Sequence, residues 1–219
     1  TSEGTVGPAT LTFTEDNWET PQTVTVTGVD DNNSDGHQDY DINLSELVVP
    51  SKALDFDGVN DYVATASNIS ALDITADITI ASWVNISSMP NDYARIIGKG
   101  KGDTHRTYGL WVGSSGKLLF QMGDAATDGL VNLFSTTSLS TGAWHHIIGT
   151  RSGSTLTIYV NGVADATITY SGTPYSTSEP LTFGYGNNHA HFPGKLDEVA
   201  VWDKGLSAAE ITTLYNSGG

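Results

Sequence analysis

Apolar and polar residues alternate along most of this chain with a period of two, the repeat of a strand that buries one face and wets the other. Residues 8–14 set Leu11 and Phe13 among polar neighbours, and residues 23–29 set Val24 and Val26 among threonines. Residues 40–47 alternate Tyr40, Ile42 and Leu44 with polar partners. The pattern resumes at residues 77–87, where Ile78, Ile80 and Ser82 share one face and Ala81 and Trp83 the other. Residues 107–113 and 116–122 predict a pair of strands across Ser114-Ser115-Gly116. Further strands are predicted over 144–150, 155–160, 163–168, 181–185 and 196–202. Asn161-Gly162 stands between two of these, and a type I′ hairpin turn favours this dipeptide because both positions need positive φ.

One helix is predicted. Ser207 and Glu210 have the spacing of a capping box, in which hydroxyl and carboxylate satisfy each other's orphan amides. Ile211, Leu214 and Tyr215 follow at helical spacing, and Gly218 supplies a stop. Many short strands, turn residues between them and a single C-terminal helix read as an all-β, antiparallel sandwich, not as an alternating α/β fold.

The stretch Val48-Val49-Pro50-Ser51-Lys52 interrupts the alternation and divides the chain into residues 1–47 and 48–219. The first segment offers few apolar side chains on any one face, too few to bury a core alone. Its cover is expected from the second domain or from strands of another chain.

Composition narrows the function. The chain carries 25 Asp+Glu against 9 Lys+Arg, a formal net charge of -16, which repels phosphate backbones and anionic lipid. Nucleic-acid binding is therefore not expected. Membrane insertion is not expected either, because no apolar run approaches the about 18 residues of a spanning helix. The absence of cysteine removes disulfides, thiolate zinc sites and thiol nucleophiles together. With 38% hydrophobic and only 16% charged residues, a packed chain is expected and not an acidic disordered one.

From residue 53 onward the sequence resembles the laminin-G-like branch of the concanavalin A-like lectin/glucanase jelly rolls. The resemblance is carried by Ala53-Leu54-Asp55-Phe56-Asp57-Gly58-Val59-Asn60-Asp61-Tyr62-Val63 and Ile78-Thr79-Ile80-Ala81-Ser82-Trp83-Val84. It continues in Gly142-Ala143-Trp144-His145-His146-Ile147, Ile158-Tyr159-Val160-Asn161-Gly162 and Gly194-Lys195-Leu196-Asp197-Glu198-Val199-Ala200-Val201-Trp202. Leu206-Ser207-Ala208-Ala209-Glu210-Ile211 closes it, so that residues 53–217 are covered. Residues 1–47 resemble the second half of a Calx-β-like domain, through Leu11-Thr12-Phe13-Thr14, Asn17-Trp18, Pro21-Gln22-Thr23-Val24-Thr25-Val26 and Gly28-Val29-Asp30-Asp31-Asn32. The resemblance implies a jelly-roll sandwich and an extracellular or cell-surface setting in a large bacterial protein.

It also implies calcium. In such jelly rolls the first and last strands are neighbours and often share a structural ion. Carried over, Asp57, Asp61 and Asp197 are the expected ligands, supplemented by turn carbonyls, since calcium takes 6–8 oxygens. The bland alternative is that Asp57 makes a turn before Gly58 and Asp197 caps a strand edge. Asp30, Asp31 and Asp35 form a second carboxylate-rich turn, which the Calx-β-like resemblance assigns to calcium and the residues alone assign to solvent.

Tyr185, Asn187, Asn188 and His189 form an aromatic-plus-amide loop, the composition with which proteins hold sugars: a ring face for C–H groups, amides for hydroxyls. The alternative is an ordinary strand-end loop. His189 and His191 have the i, i+2 spacing that puts two rings on one strand face. Zinc would need a third ligand that the neighbouring residues do not show. Trp83, Trp144 and Trp202 are expected in the core, while Trp111 reads equally as core or platform. Asn-x-Ser sequons at Asn32, Asn43, Asn68 and Asn85 matter only in a glycosylating host.

Catalysis is not expected. Related glucanases carry alternating carboxylates along one strand, and a retaining glycosidase needs two about 5 Å apart. Asp55 and Asp57 alternate, but on the strand that resembles the calcium site. The expected role is a non-catalytic adhesion or carbohydrate- or protein-binding module. The alternative is a subunit of an extracellular fibre, self-associating through the incomplete N-terminal segment by strand addition.

Overall fold

The computed structural model describes residues 4–8, 11, 20–28, 53–66, 69–101, 105–186 and 189–217. Two compact units emerge, Thr1–Val49 and Pro50–Gly219. In the first, β1 (Gly4–Gly7) pairs antiparallel with β2 (Thr25–Gly28), with Val6 opposite Val26. The strand expected over 23–29 is thus present in part. Those expected over 8–14 and 40–47 lie largely or wholly outside the described residues, as do Asp30, Asp31 and Asp35.

The second unit is a β-sandwich. Its strands are β3 (Leu54–Asp57), β4 (Val63–Ala64), β5 (Ile78–Ile86), β6 (Ala94–Lys101), β7 (His105–Val112) and β8 (Lys117–Asp124). They continue with β9 (Gly129–Ser138), β10 (Trp144–Ser152), β11 (Thr155–Val160), β12 (Val163–Thr169), β13 (Leu181–Phe183) and β14 (Pro193–Trp202), and the helix α1 (Ala208–Ser217) closes the chain. One six-stranded sheet runs β12-β11-β10-β5-β14-β3 and the other β4-β13-β6-β7-β8-β9. All the pairings within them are antiparallel. First and last strands are neighbours, β3 lying against β14.

The period of two decides which side chains meet between the sheets. Ile78, Ile80, Val84 and Ile86 of β5 face Tyr108, Leu110 and Val112 of β7 and Phe120 and Met122 of β8 in one buried cluster. Each such burial is worth about 1.5–3 kcal/mol. Among the strands that escaped the sequence pattern, β6 and β9 are the long ones. In β6 the register shifts between Arg95 and Ile97 and again between Lys99 and Gly100. Ile96 and Ile97 are consequently both buried, and strict alternation is lost. In β9 the inward residues are Leu133 and Ser135, an apolar–polar pair that breaks the hydrophobic signal.

The hairpin expected at Asn161-Gly162 forms, with φ of 51° and 78°. The capping box forms as well: the Ser207 amide and hydroxyl both donate to Glu210 Oε2 at 2.8 Å. Lys204 Nζ reaches Glu210 Oε1 at 2.7 Å. The lysine first, and then the Ser207 groups, hold the Glu210 carboxyl down to about 2.

Helix α1 covers the outer face of the first sheet. Ile211 packs with Ala81, Ile148 and Leu206, and Tyr215 stacks on Trp83 at 5.6 Å between ring centroids. His146 is buried beside them, 5.1 Å from Trp83, and desolvation pushes its imidazole down to about 4. Trp83 and Trp202 therefore lie at the helix–sheet layer and not in the inter-sheet core. Trp144, at the start of β10, is 41% exposed, which corrects the expectation that it is a core residue.

Candidate functional site

The outer face of the second sheet, opposite the core, holds polar and aromatic side chains in unusual density. Trp111 of β7 points to this side, since its neighbours Leu110 and Val112 point inward. Arg95 of β6 stands directly across from it in register. The Arg95 and Arg106 guanidinium carbons each lie 4.6 Å from the Trp111 ring centroid, within cation–π range. All three are nearly inaccessible, with 3%, 4% and 1% of Arg95, Arg106 and Trp111 exposed.

Two glycines make room for this stack. A Cβ on Gly109 would sit 2.7 Å from Trp111 Nε1, and one on Gly186 would sit 2.4 Å from the indole and 2.5 Å from Arg95 Nε. A glycine inside a strand often marks such a close approach. Among the described residues neither Trp111 Nε1 nor Arg95 Nε finds a hydrogen-bond partner. Arg95 uses its other nitrogens, donating from Nη1 to Thr182 Oγ1 at 3.0 Å and from Nη2 to the Gly100 carbonyl at 3.2 Å. Burial first, and then the charge of Arg106, bring Arg95 down to about 9.

A directed chain of hydrogen bonds crosses the face. Arg106 Nη1 donates to Gln121 Oε1, and Gln121 Nε2 donates to Asn132 Oδ1 at 2.7 Å. In the other direction Arg106 Nη2 lies 3.0 Å from His189 Nε2, and His189 Nδ1 lies 3.1 Å from Asp92 Oδ2. The Tyr93 amide, followed by His189, holds Asp92 below the usual carboxylate range. His189 also packs edge-on to Trp111 at 5.0 Å. Tyr93 and Phe134, 6.4 Å apart, close the opposite side. Tyr93, Arg106, Trp111, Leu119, Gln121, Asn132, Phe134 and His189 line a pocket of about 180 Å³.

The loop that carries His189 is pinned to the sheet. The Gly184 amide donates to the Ile96 carbonyl, the Phe192 amide to Gly184, and Ala190 bridges to Ala94. Phe192 anchors the loop in the core against Phe56. Of the residues expected to bind sugar, His189 enters the pocket, while Tyr185 stacks on His191 at 4.2 Å, with Tyr62 6.0 Å away. Asn187 and Asn188 lie outside the described residues. The two histidine rings part company: His191 Nδ1 meets the Asp61 carbonyl at 3.2 Å, so His189 and His191 do not face one another's partners.

The expected calcium ligands fall in two places. Asp57 and Asp61 share one turn: Asp61 Oδ2 accepts the Asp57 amide at 2.9 Å, and Asp57 Oδ1 accepts the Val59 amide at 2.7 Å. Asp197 sits elsewhere. Asp57 is opposite Pro193 in the β3–β14 ladder, so Asp197 is four residues, about 13 Å, further along β14. Its Oδ1 accepts the Glu198 amide at 2.9 Å. Asp55, opposite Lys195 in the same ladder, pairs with it at 3.7 Å. Among the described residues no three His, Asp or Glu side chains gather as a metal cluster. A single ion bridging Asp57 and Asp197 does not fit this geometry.

Comparison with known proteins fits this architecture. Residues 57–212 match the family described as concanavalin A-like lectin/glucanases superfamily. The chain belongs to that superfamily. A heptameric SAP-like pentraxin from Limulus polyphemus superposes with a TM-score of 0.58 at 15% identity, over 75% of this chain and 82% of that one. The CBM40 of Ruminococcus gnavus IT-sialidase, bound to alpha2,3 sialyllactose, gives 0.58 at 14% identity, over 75% and 97%. A Trypanosoma rangeli sialidase gives 0.56 at 16% identity, over 75% of this chain and 28% of that one. At these identities the likeness is one of fold. No curated protein matches the sequence.

For a concanavalin A-like chain, the residues that build the pocket were only partly visible in sequence. Arg95 and Arg106 bore no motif. Gln121 in an otherwise apolar strand and Gly98 and Gly109 inside strands were the available signals, since glycine in a strand gives up packing for proximity. His189 was marked by its loop.

Proposed function

We propose that this chain is a non-catalytic glycan-binding module whose ligand enters the pocket on the outer face of the β6–β9 sheet. One observation carries the reading. The indole of Trp111 and the rings of Tyr93 and Phe134 bound a pocket whose polar groups, Arg106, Gln121, Asn132 and His189, are already tied into one hydrogen-bonded chain. Sugars need this combination of ring faces and fixed donors and acceptors, and pre-ordered side chains bind with less loss of entropy. The volume suits one sugar ring, being below the roughly 300 Å³ at which drug-sized sites begin. Among the described lining residues there is no Asp or Glu, and so no pair of carboxylates of the kind that glycoside hydrolysis uses. The sialyllactose complex of a similarly folded module supports the same reading.

The test is a glycan array, followed by calorimetry on any hit, with wild-type protein and His189→Ala. Binding that weakens at least about tenfold in the variant, with melting temperature retained, supports the site. A hit unaffected by His189→Ala moves the site elsewhere, and an array without hits removes the function.

A further inference from the structure

The outer face of the first sheet is covered by α1 over only part of its length. Phe56, Val84, Ile147 and Leu196 point into the core, so Asp55, Trp83, Asn85, Trp144, His146 and Lys195 stand on the opposite face. Tyr215 lies over Trp83 and His146, which are opposite each other in register. Two residues along the strands from that covered pair, Trp144 is opposite Asn85, Asn85 opposite Lys195, and Lys195 opposite Asp55. Four neighbouring strands thus set an indole, an amide, an ammonium and a carboxylate in one line, about 14 Å long at about 4.8 Å per strand. Trp144 is 41% exposed, and the other described tryptophans are more covered. The turn that leads into Trp144 is tied down: the Gly142 amide donates to the Ile86 carbonyl at 2.8 Å, and Thr141 bridges to Ile86. At the other end Lys195 and Asp55 form an ion pair with both side chains exposed. Such a pair contributes little to stability, so its donors and acceptors can turn to a ligand at small cost.

We propose that this line is a second glycan site, on the sheet opposite the pocket, and that it takes a neutral oligosaccharide lying across the strands. A sugar ring presents an apolar C–H face, which suits the exposed indole, and hydroxyls that both donate and accept, which suit Asn85, Lys195 and Asp55. The charges of Lys195 and Asp55 cancel, so the complementary partner is uncharged. The chain's net charge of -16 adds no pull for an anion. An open line of this length suits several linked sugars, where the pocket suits one ring. Sites on both sheets would let one module bridge two glycan chains and gain avidity without any new contact.

Nuclear magnetic resonance on the nitrogen-labelled chain decides it, with cellotetraose, maltotetraose and tetra-N-acetylchitotetraose as probes. The Trp144 indole N–H signal, assigned by its loss in Trp144→Ala, is read beside the ring signals of His189. At least one probe is expected to shift the Trp144 signal saturably. Calorimetry should then show that binding event weakened at least about tenfold in Trp144→Ala and less in Trp144→Phe, which keeps a ring. The melting temperature should hold in both, because the side chain is exposed. Shifts at Trp144, with or without shifts at His189, support the second site. Shifts at His189 alone overturn it and leave the pocket reading intact. A Trp144 signal that moves when the protein is diluted without sugar marks a contact between copies and overturns it. A Trp144 signal unmoved by all three probes overturns it too, as does an affinity unchanged in Trp144→Ala.

Discussion

Arg106 Nη2 lies 3.0 Å from His189 Nε2, and arginine has no acceptor to offer. His189 must therefore accept at Nε2 and carry its proton on Nδ1, where Asp92 Oδ2 receives it at 3.1 Å. One contact thus fixes the tautomer, and donation runs outward from Arg106 on both sides, through Gln121 to Asn132 and through His189 to Asp92. The pocket is pre-ordered by these hydrogen bonds.

This direction can be measured. Long-range proton–nitrogen spectra should show His189 protonated at Nδ1, and Asp92→Ala should mix in the other tautomer. A spectrum of pure Nε2–H in the wild-type protein would show that the Arg106 contact does not exist in solution. Replacing Asp92 removes its hydrogen bonds to the Tyr93 amide and to His189, of which only the second orients a pocket group, a net of about 1 kcal/mol there, so any glycan affinity should fall only several-fold.

Trp111 is the packing centre of the same face. Trp111→Ala should cost about 3–5 kcal/mol by urea unfolding, with the slope unchanged. Gly109→Ala tests the geometry more finely, since its Cβ would sit 2.7 Å from Trp111 Nε1. It should cost about 1–3 kcal/mol, the range for an overpacked site. A cost within about 0.5 kcal/mol, that of an ordinary surface change, would show that the indole has slack.

The sandwich and its C-terminal helix were legible because their signals are local. Alternation in β5, β10 and β11, the Asn161-Gly162 turn and the Ser207–Glu210 capping box all come from residues close in sequence. The pocket was not legible, because Arg95, Arg106, Gln121, Asn132 and His189 come from four strands and a loop and meet only through sheet order. Trp83 and Trp144 misled for a related reason. Each lies in apolar alternation, but a sheet has two faces, and the pattern does not say which is covered by a helix or left to water. The expected union of Asp57 with Asp197 failed on register: adjacency of β3 and β14 was right, and the offset along them was not readable.

His146 gives the protein an acid-sensitive joint between α1 and its sheet. Burial lowers this imidazole from 6.5 to about 4. The unfolded chain therefore binds the proton first, and stability is drawn down as pH falls from 6.5 to about 4. Above 6.5 the contribution is complete, and below the folded value the loss levels off, at roughly 3 kcal/mol in total. His146→Phe keeps an aromatic ring against Trp83 and Tyr215 and cannot be protonated. Its melting temperature should vary less with pH across that window than the wild type's. Identical slopes would mean that the imidazole is hydrated in solution.

Asp165 performs the corresponding task at the open side of the sandwich. It is the residue left unpaired where the register of β12 shifts against Ile158 and Tyr159 of β11. The bulge turns its carboxylate onto β9, where it accepts the Thr136 amide at 2.5 Å, the Thr136 hydroxyl at 2.9 Å and the Thr137 amide at 3.1 Å. Burial raises its pKa, but these donors outweigh burial and hold the carboxyl below its ordinary value. The edge of β9 is thereby occupied by a side chain, which protects it from pairing with another chain. Asp165→Asn sets amide protons against amide protons and should cost about 1–3 kcal/mol. Hydrogen exchange at Thr136 and Thr137 should quicken more than in β7, and light scattering should detect association at high concentration. In the wild type the contribution should be complete above the ordinary Asp range and vanish as pH falls through the lowered folded value. Unchanged exchange at both threonines in Asp165→Asn would mean that the sheet edge is sealed by other means.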